Sequence, residues 1–422
     1  MTTEEVSFPS SDGSVTLFGN LTLPNNSTGE ATPAILIING SGPIDRNGNV
    51  PSLKMTLNTS NQFAHHMSNR PSDKPIAVFC YDKRGVGKST TKDKNLFYRT
   101  GLDDLVSDAV EAVRYLINHP KIDAKRIVIV GHSEGAIIMP LICKQIKEAG
   151  LEPPAGCIFF GGFGDNLKDA MEAQQKRIAQ EVQEMEGLMG WLLRMLITEQ
   201  KLEKQYNGTM EKINAEDKPD FISMQLGLVK QPAKWIREHF AYDATATLKE
   251  QMTCHCLAIT GMKDVQVNNK YCDPETAKEL VPNAASIEAH RPDNLTHALR
   301  SLDGPSKLMN IKKDYTAMSK KPLDENVLTI TDKWCDRVLF GSENVEPTYS
   351  FKSYVLNHSR AHLWQIVSSK SHLQCQGIDV FNNIDLVHHP NSFHFSSVIA
   401  QHGPVDTCCE FAYFRFRIGA NQ

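Results

Sequence analysis

The chain has 422 residues, of which 41% are apolar and 22% charged, and a formal net charge of −4. That length allows one large domain with an addition, or two to three domains, and the composition is that of an ordinary soluble globular protein. The small negative balance provides neither the basic stripe expected of a nucleic-acid binder nor a polybasic membrane face.

No stretch approaches the roughly 18 apolar residues of a membrane span. The opening Met1-Thr-Thr-Glu-Glu-Val lacks the basic-then-apolar pattern of a secretory leader, and the final residues match no retrieval signal, so the cytosol is the expected location. Ten cysteines scattered through such a chain read as free thiols, several of them buried. Cys254-His255-Cys256 resembles a metal pair, but residues alternating on a strand face opposite ways and no second pair follows at zinc-site spacing; a core role is favoured.

In chain order, residues Val15 to Leu23 partly alternate and predict an opening strand or hairpin. Pro33 to Ile38 is a short continuous apolar run, as a strand buried on both faces would be, and it ends in the Gly-rich loop from Asn39 to Asn49. A second run, Ile76 to Tyr81, leads into Asp82-Lys-Arg-Gly-Val-Gly-Lys-Ser89. Leu105, Ala109, Ala112, Val113 and Leu116 then recur at helical spacing between Leu102 and Asn118. Arg126 to Val130 is a third strand, a helix covers Ala136 to Ile146, and Gly156 to Phe160 is a fourth strand.

From about Asp165 to Glu250 this alternation gives way to helices. It resumes with a strand in Cys256-Leu-Ala-Ile-Thr-Gly261, a helix at Pro274 to Leu280, a strand near Ala285 to Ala289 and a closing helix from Pro322 to Phe340, its proline at or just before the first turn. Strands alternating with helices imply a mostly parallel sheet with helices on both faces. The expected organisation is a core in two parts, 1–164 and 251–340, interrupted by a helical cap at 165–250, with an extension of uncertain order at 341–422.

Gly131-His-Ser133-Glu-Gly135, between a β-branched strand and an apolar helix, fits a nucleophile elbow. An alcohol is a weak nucleophile, and this sharp turn exposes the Ser133 oxygen where a base can reach it. Glycines flank it because a side chain there would collide with a neighbouring strand or helix. An acid and a base should follow in the order Asp or Glu, then His. Asp264, just past the strand ending at Thr260, lies at the C-terminal sheet edge where such folds react; its other reading is a helix-capping aspartate.

His297, on a loop, is favoured as base over His290, at a strand end, because the base must reach across loops to Ser133. The oxyanion site should use the amide of Glu134 and one from Asn39-Gly-Ser41-Gly42, with Ser41 the choice. Gly85-Val-Gly-Lys-Ser89 resembles the end of a phosphate-binding loop, but the required earlier glycine is Asp82, so the nucleotide reading fails. The stripe Met185, Leu188, Met189, Leu192, Leu193 and Leu196 could wall an acyl pocket, though packing within the insert is favoured.

Taken together, Gly40-Ser-Gly-Pro-Ile-Asp-Arg46, Tyr81-Asp-Lys-Arg-Gly-Val-Gly-Lys-Ser89, Gly131-His-Ser-Glu-Gly-Ala136 and Phe240-Ala-Tyr-Asp243 resemble α/β-hydrolase esterases with a helical cap, the serine-aminopeptidase-like hydrolases. The resemblance covers about residues 15 to 340. It implies the α/β-hydrolase fold and hydrolysis of a small-molecule carboxylic ester through an acyl-enzyme, with no metal or organic cofactor. Thioesters and small peptides stay open as substrates, as does a ligand-binding role with the chemistry lost.

Residues beyond about Gly341 have no counterpart in that resemblance. They are rich in His, Ser and Asn, only Phe411 to Ile418 looks strand-like, and His388-His389 alone does not argue for a metal.

Overall fold

The computed structural model describes residues 1–25, 30–51, 54–71, 73–196, 198–224, 229–341, 386–389 and 392–395. The chain divides into two units, Met1–Glu343 and Asn344–Gln422.

The first unit opens with a hairpin, β1 (Thr2–Pro9) paired antiparallel with β2 (Thr16–Leu23). There follow β3 (Thr32–Ile38), α1 (Thr59–Ser68), β4 (Ala77–Tyr81), the short α2 (Leu96–Arg99), α3 (Leu102–Ile117), β5 (Ile122–His132), α4 (Glu134–Glu148) and β6 (Gly156–Phe160). The insert contains α5 (Leu167–Gln183), α6 (Gly187–Leu196), α7 (Glu199–Ile213), a small antiparallel pair β7 (Ile222–Met224) and β8 (Val229–Gln231), α8 (Ala233–Ala241) and α9 (Ala244–Gln251). The core then resumes with β9 (His255–Ile259), α10 (Pro274–Leu280), β10 (Ser286–His290), α11 (Ile311–Met318) and α12 (Glu325–Phe340).

Eight strands form one sheet in the order β1-β2-β4-β3-β5-β6-β9-β10, parallel from β4 onward. The continuous apolar runs have a direct cause. Leu36, Phe79, Ile129, Phe159 and Ala258 join the core that includes α3, α4 and α9, while their neighbours Ile35, Val78, Val128, Ile158 and Leu257 join the one that includes α1 and α12. With both faces covered, both alternating sets of side chains along the central part of each inner strand are apolar. The fold is that of the α/β hydrolases.

Register fixes where the reactive edge falls. His132 is paired with Phe160, and Phe160 in turn with Ile259. The residues after β5, β6 and β9 therefore emerge side by side at the C-terminal end of the sheet.

The insert is thin. Ile213, Ile222, Ala233 and Ile236 make a small core of their own, but Leu248 of α9 packs in the main core. The expectation that the 185–196 stripe packs internally is corrected: Leu188 is 81% and Leu192 44% exposed, joined on the same helix by Trp191 at 53% and Met195 at 55%. Helical spacing identifies an apolar face but does not supply a partner for it. The side chains of Met189 and Leu196 lie outside the described ones.

Cys256 is buried within β9, and the imidazole Nδ1 of His255 lies 2.9 Å from Ser286 Oγ. Among the described residues Cys80, Cys143, Cys157, Cys254, Cys256, Cys272 and Cys335 are free thiols. No described helix is long and apolar enough to cross a membrane. In the second unit, β11 (Leu386–His389) pairs antiparallel with β12 (Ser392–Phe395), placing His388 opposite Phe393; Phe411 to Ile418 lies outside the described residues.

Candidate active site

Ser133 stands between β5 and α4 with φ 57° and ψ −120°, in the left-handed half of backbone space that a non-glycine residue rarely enters. The turn is held by the Ser133 N–H donating to the Phe160 carbonyl at 2.8 Å. The flanking glycines are steric requirements: a Cβ at Gly131 would overlap the Gly135 carbonyl, and one at Gly135 would overlap the Ile38 carbonyl of β3. The hydroxyl is thus presented at the N-terminus of a 15-residue helix, half-buried at the sheet edge.

Asp264 and His297 meet. His297 Nδ1 donates to Asp264 Oδ2 at 2.7 Å, with both residues buried. The other carboxylate oxygen accepts the N–H groups of Gln266 at 2.8 Å and Val267 at 3.2 Å, which fixes the carboxylate plane. Burial tends to lower the pKa of His297, but the adjoining Asp264 carboxylate outweighs it and the net shift is upward.

The loop carrying His297 is tied from several sides. The Thr296 hydroxyl and N–H both donate to the Arg300 carbonyl, at 2.8 and 3.0 Å. The fully buried Arg300 guanidinium donates to the carbonyls of Leu57, Ala298 and Lys321 and to Thr59 Oγ1.

The His297 imidazole lies against His132, the residue before Ser133. The rings of His132 and His297 are 5.0 Å apart, and His132 Nε2 donates to the His297 carbonyl at 2.8 Å. Burial and the neighbouring His297 push the pKa of His132 down to about 4, so this ring stays neutral beside its partner. Gly161 and Gly162 fill the gap between the two halves. A Cβ at Gly161 would sit 3.0 Å from His297 Nδ1 and 3.1 Å from Asp264 Oδ2, and one at Gly162 would sit 2.7 Å from the Ser133 carbonyl.

The His297 ring bonds to Asp264, and among the described residues it makes no hydrogen bond to the Ser133 hydroxyl. His290 stays at the end of β10, with its Nε2 3.9 Å from Glu288.

The loop after β3 approaches Ser133 at Gly40. A Cβ at Gly40 would lie 2.9 Å from Ser133 Cβ and 3.5 Å from its Oγ, so Gly40 packs directly against Ser133, and Glu134 opens α4 as the next residue.

Two acidic side chains here escaped sequence reasoning. Asp165, after β6, is buried; its Oδ1 accepts the Asn268 N–H at 3.1 Å, while Oδ2 has no partner. Burial, with the nearby Asp264 charge, raises its pKa to about 7. The side chain of Glu134 is also buried, and although burial alone would raise its pKa, the Lys83 ammonium and the α8 side chains pull it down to about 2. Glu134 is paired with a lysine 51 residues away and with Trp235 of α8, 101 residues away, and no local pattern announces either partner.

A strained serine after the fifth strand of a mostly parallel sheet, with a buried Asp–His pair on loops of the same edge, defines an α/β hydrolase. Residues 57–300, more than half of the chain, match the family described as serine aminopeptidase, S33, and the chain belongs to that family. It is 26% identical over 321 residues to Esterase EstD of Thermotoga maritima, a match covering 75% of this chain and 64% of that relative's length. Among solved structures, the α/β hydrolase GrgF from Penicillium sp. sh18 aligns at 13% identity with a TM-score of 0.46, covering 81% of this chain and 100% of that one. Est1E from Butyrivibrio proteoclasticus aligns at 14% identity with a TM-score of 0.41, covering 75% and 96%.

Proposed function

We propose that this protein is a serine hydrolase that cleaves small-molecule carboxylic esters through an acyl-enzyme, with Ser133 as nucleophile, His297 as base and Asp264 as its partner. The observation that carries the reading is the buried 2.7 Å bond between His297 Nδ1 and Asp264 Oδ2 at the sheet edge where Ser133 emerges. A carboxylate can only accept, so Nδ1 carries the proton and Nε2 keeps the lone pair that takes the proton of Ser133. As that proton arrives the imidazole becomes cationic, and the adjoining carboxylate stabilises it.

Attack of the Ser133 oxygen on the ester carbonyl gives a tetrahedral oxyanion, held by the amides of Glu134 and Ser41. Collapse expels the alcohol, which takes its proton from Nε2. Water activated by the same nitrogen then releases the acid and frees Ser133.

The likeness to a Thermotoga maritima esterase favours esters, and the family's description keeps small-peptide amides as a second reading. Acyl-thioesters would use the same triad, and a cytosolic setting suits the free thiols. A panel of p-nitrophenyl esters, acyl-thioesters and aminoacyl amides orders these substrates. Fluorophosphonate labelling at Ser133 tests the mechanism itself, and Ser133→Ala should lose label and about a millionfold in turnover. A folded wild-type protein that takes no label would instead be a ligand-binding member of the fold.

A further inference from the structure

The Asp82 to Ser89 segment, which has Asp82 where a phosphate-binding loop needs glycine, delivers one buried cation to the C-terminal edge of the sheet. Lys83 is 7% exposed; its Nζ donates to the Gly40 carbonyl at 2.6 Å and lies 3.2 Å from Glu134 Oε2. The remaining Glu134 oxygen accepts the indole N–H of Trp235 from α8 and lies 3.2 Å from His239 Nε2. One carboxylate therefore joins the residue after the nucleophile, the loop after β3 and a helix of the insert.

What Lys83 holds matters because of peptide geometry. The Gly40 carbonyl and the Ser41 N–H belong to one planar trans unit and point in opposite directions. Glycine places little steric restraint on rotating that unit, and the rotated form would aim a carbonyl oxygen at a developing oxyanion. A cation fixed on the carbonyl opposes that rotation and also polarises the N–H on the far side.

We propose that Lys83 is the positioning residue of the oxyanion site: its ammonium holds the Gly40 carbonyl away from the reaction and so aims the Ser41 N–H at it, while Glu134 and Trp235 brace that hold against the insert. The inference rests on the reading of Ser133 and Ser41 given above. It assigns Lys83 no contact with substrate and no proton transfer.

The test uses the full chain with p-nitrophenyl acetate as substrate and a trifluoromethyl ketone as inhibitor, since its adduct with serine carries an oxyanion. Lys83→Met should lower kcat on the order of 100-fold, the scale of losing one oxyanion donor. KM should change by less than about threefold, and inhibitor affinity should fall in parallel with kcat. The acid limb of the pH profile should not move, because the imidazole is untouched.

Lys83→Met takes the ammonium partner from the buried Glu134 carboxylate, so Lys83→Met combined with Glu134→Gln, which removes both charges, decides the case if the single variant folds poorly. The double variant should fold and remain slow. Recovery of near wild-type kcat there would mean that Lys83 only neutralises Glu134, and would overturn the proposal. So would a folded single variant within about threefold of wild-type kcat. Failure of the wild-type protein to hydrolyse ester or to label at Ser133 would instead strike the parent reading.

Discussion

Gly261 and the Leu295 carbonyl are packed so closely that no side chain fits between them: a Cβ on Gly261 would overlap that oxygen. The contact presses the loop carrying Asp264 against the loop carrying His297, and the Lys263 N–H reinforces it by donating to the same carbonyl at 3.1 Å. Gly261→Ala must separate the two loops. Overpacking of this kind costs about 1–3 kcal/mol, and a 1 Å displacement at a reacting pair can cost on the order of 100-fold in rate. Thermal unfolding and ester turnover should both decline, turnover by more than the stability loss explains.

As the proposed base, His297 must be neutral to act, and its pKa is raised above the ordinary 6.5 by Asp264. Activity should therefore be lost as pH falls, with the midpoint of kcat/KM above 6.5. His132, already deprotonated above about pH 4, adds no second step near neutrality. Asp264→Asn should move the midpoint down and lower kcat by about 10⁴-fold, through loss of the charge and of the correct tautomer. A profile flat from about pH 5 to 8 would remove His297 from its role.

Asp165 should make stability depend on pH in the sense opposite to that of a salt-bridged carboxylate. Its pKa is about 7 in the folded protein against 3.8 for an ordinary aspartate, so between those values the folded state holds a proton that the unfolded chain has released. Its contribution is intact below about pH 4 and is lost as pH rises toward 7. Asp165→Asn cannot ionise, and its stability relative to wild type should rise by an amount on the order of a few kcal/mol between pH 5 and pH 8. Denaturant unfolding at the two pH values measures it; a constant difference would refute the assignment.

Arg300 binds three carbonyls and a hydroxyl without a carboxylate among these partners, and burial lowers its pKa to about 10. Arg300→Met leaves buried carbonyls unpaired, each costing about 1–3 kcal/mol. The variant should unfold several degrees earlier and lose activity as the His297 loop loosens, with Arg300→Lys recovering part of both.

Much of this organisation is legible in the residues. The strands after Thr32, Ala77, Ile122, Gly156 and His255 read as apolar runs because each is covered on both faces, and the Ser133 turn reads from the glycines its crossing requires. The elements that escaped notice carry weaker patterns. β1, Thr2-Thr-Glu-Glu-Val-Ser-Phe-Pro, is an edge strand largely exposed to solvent, so charge is tolerated where an inner strand would exclude it. α1 buries mainly Phe63, Ala64 and Met67 among polar neighbours and lacks a clear apolar stripe.

Chain order and local periodicity by themselves determined the sheet, the candidate nucleophile and the loops that carry its partners, because each depends on residues close together in sequence. Tertiary structure alone decided that Lys83 reaches Gly40 and Glu134, that Asp165 is buried beside Asp264, and that the apolar face of α6 meets solvent rather than a core. Those outcomes depend on which surfaces meet after folding, and the desolvation that sets the charge of a buried group exists only once its neighbours have closed around it.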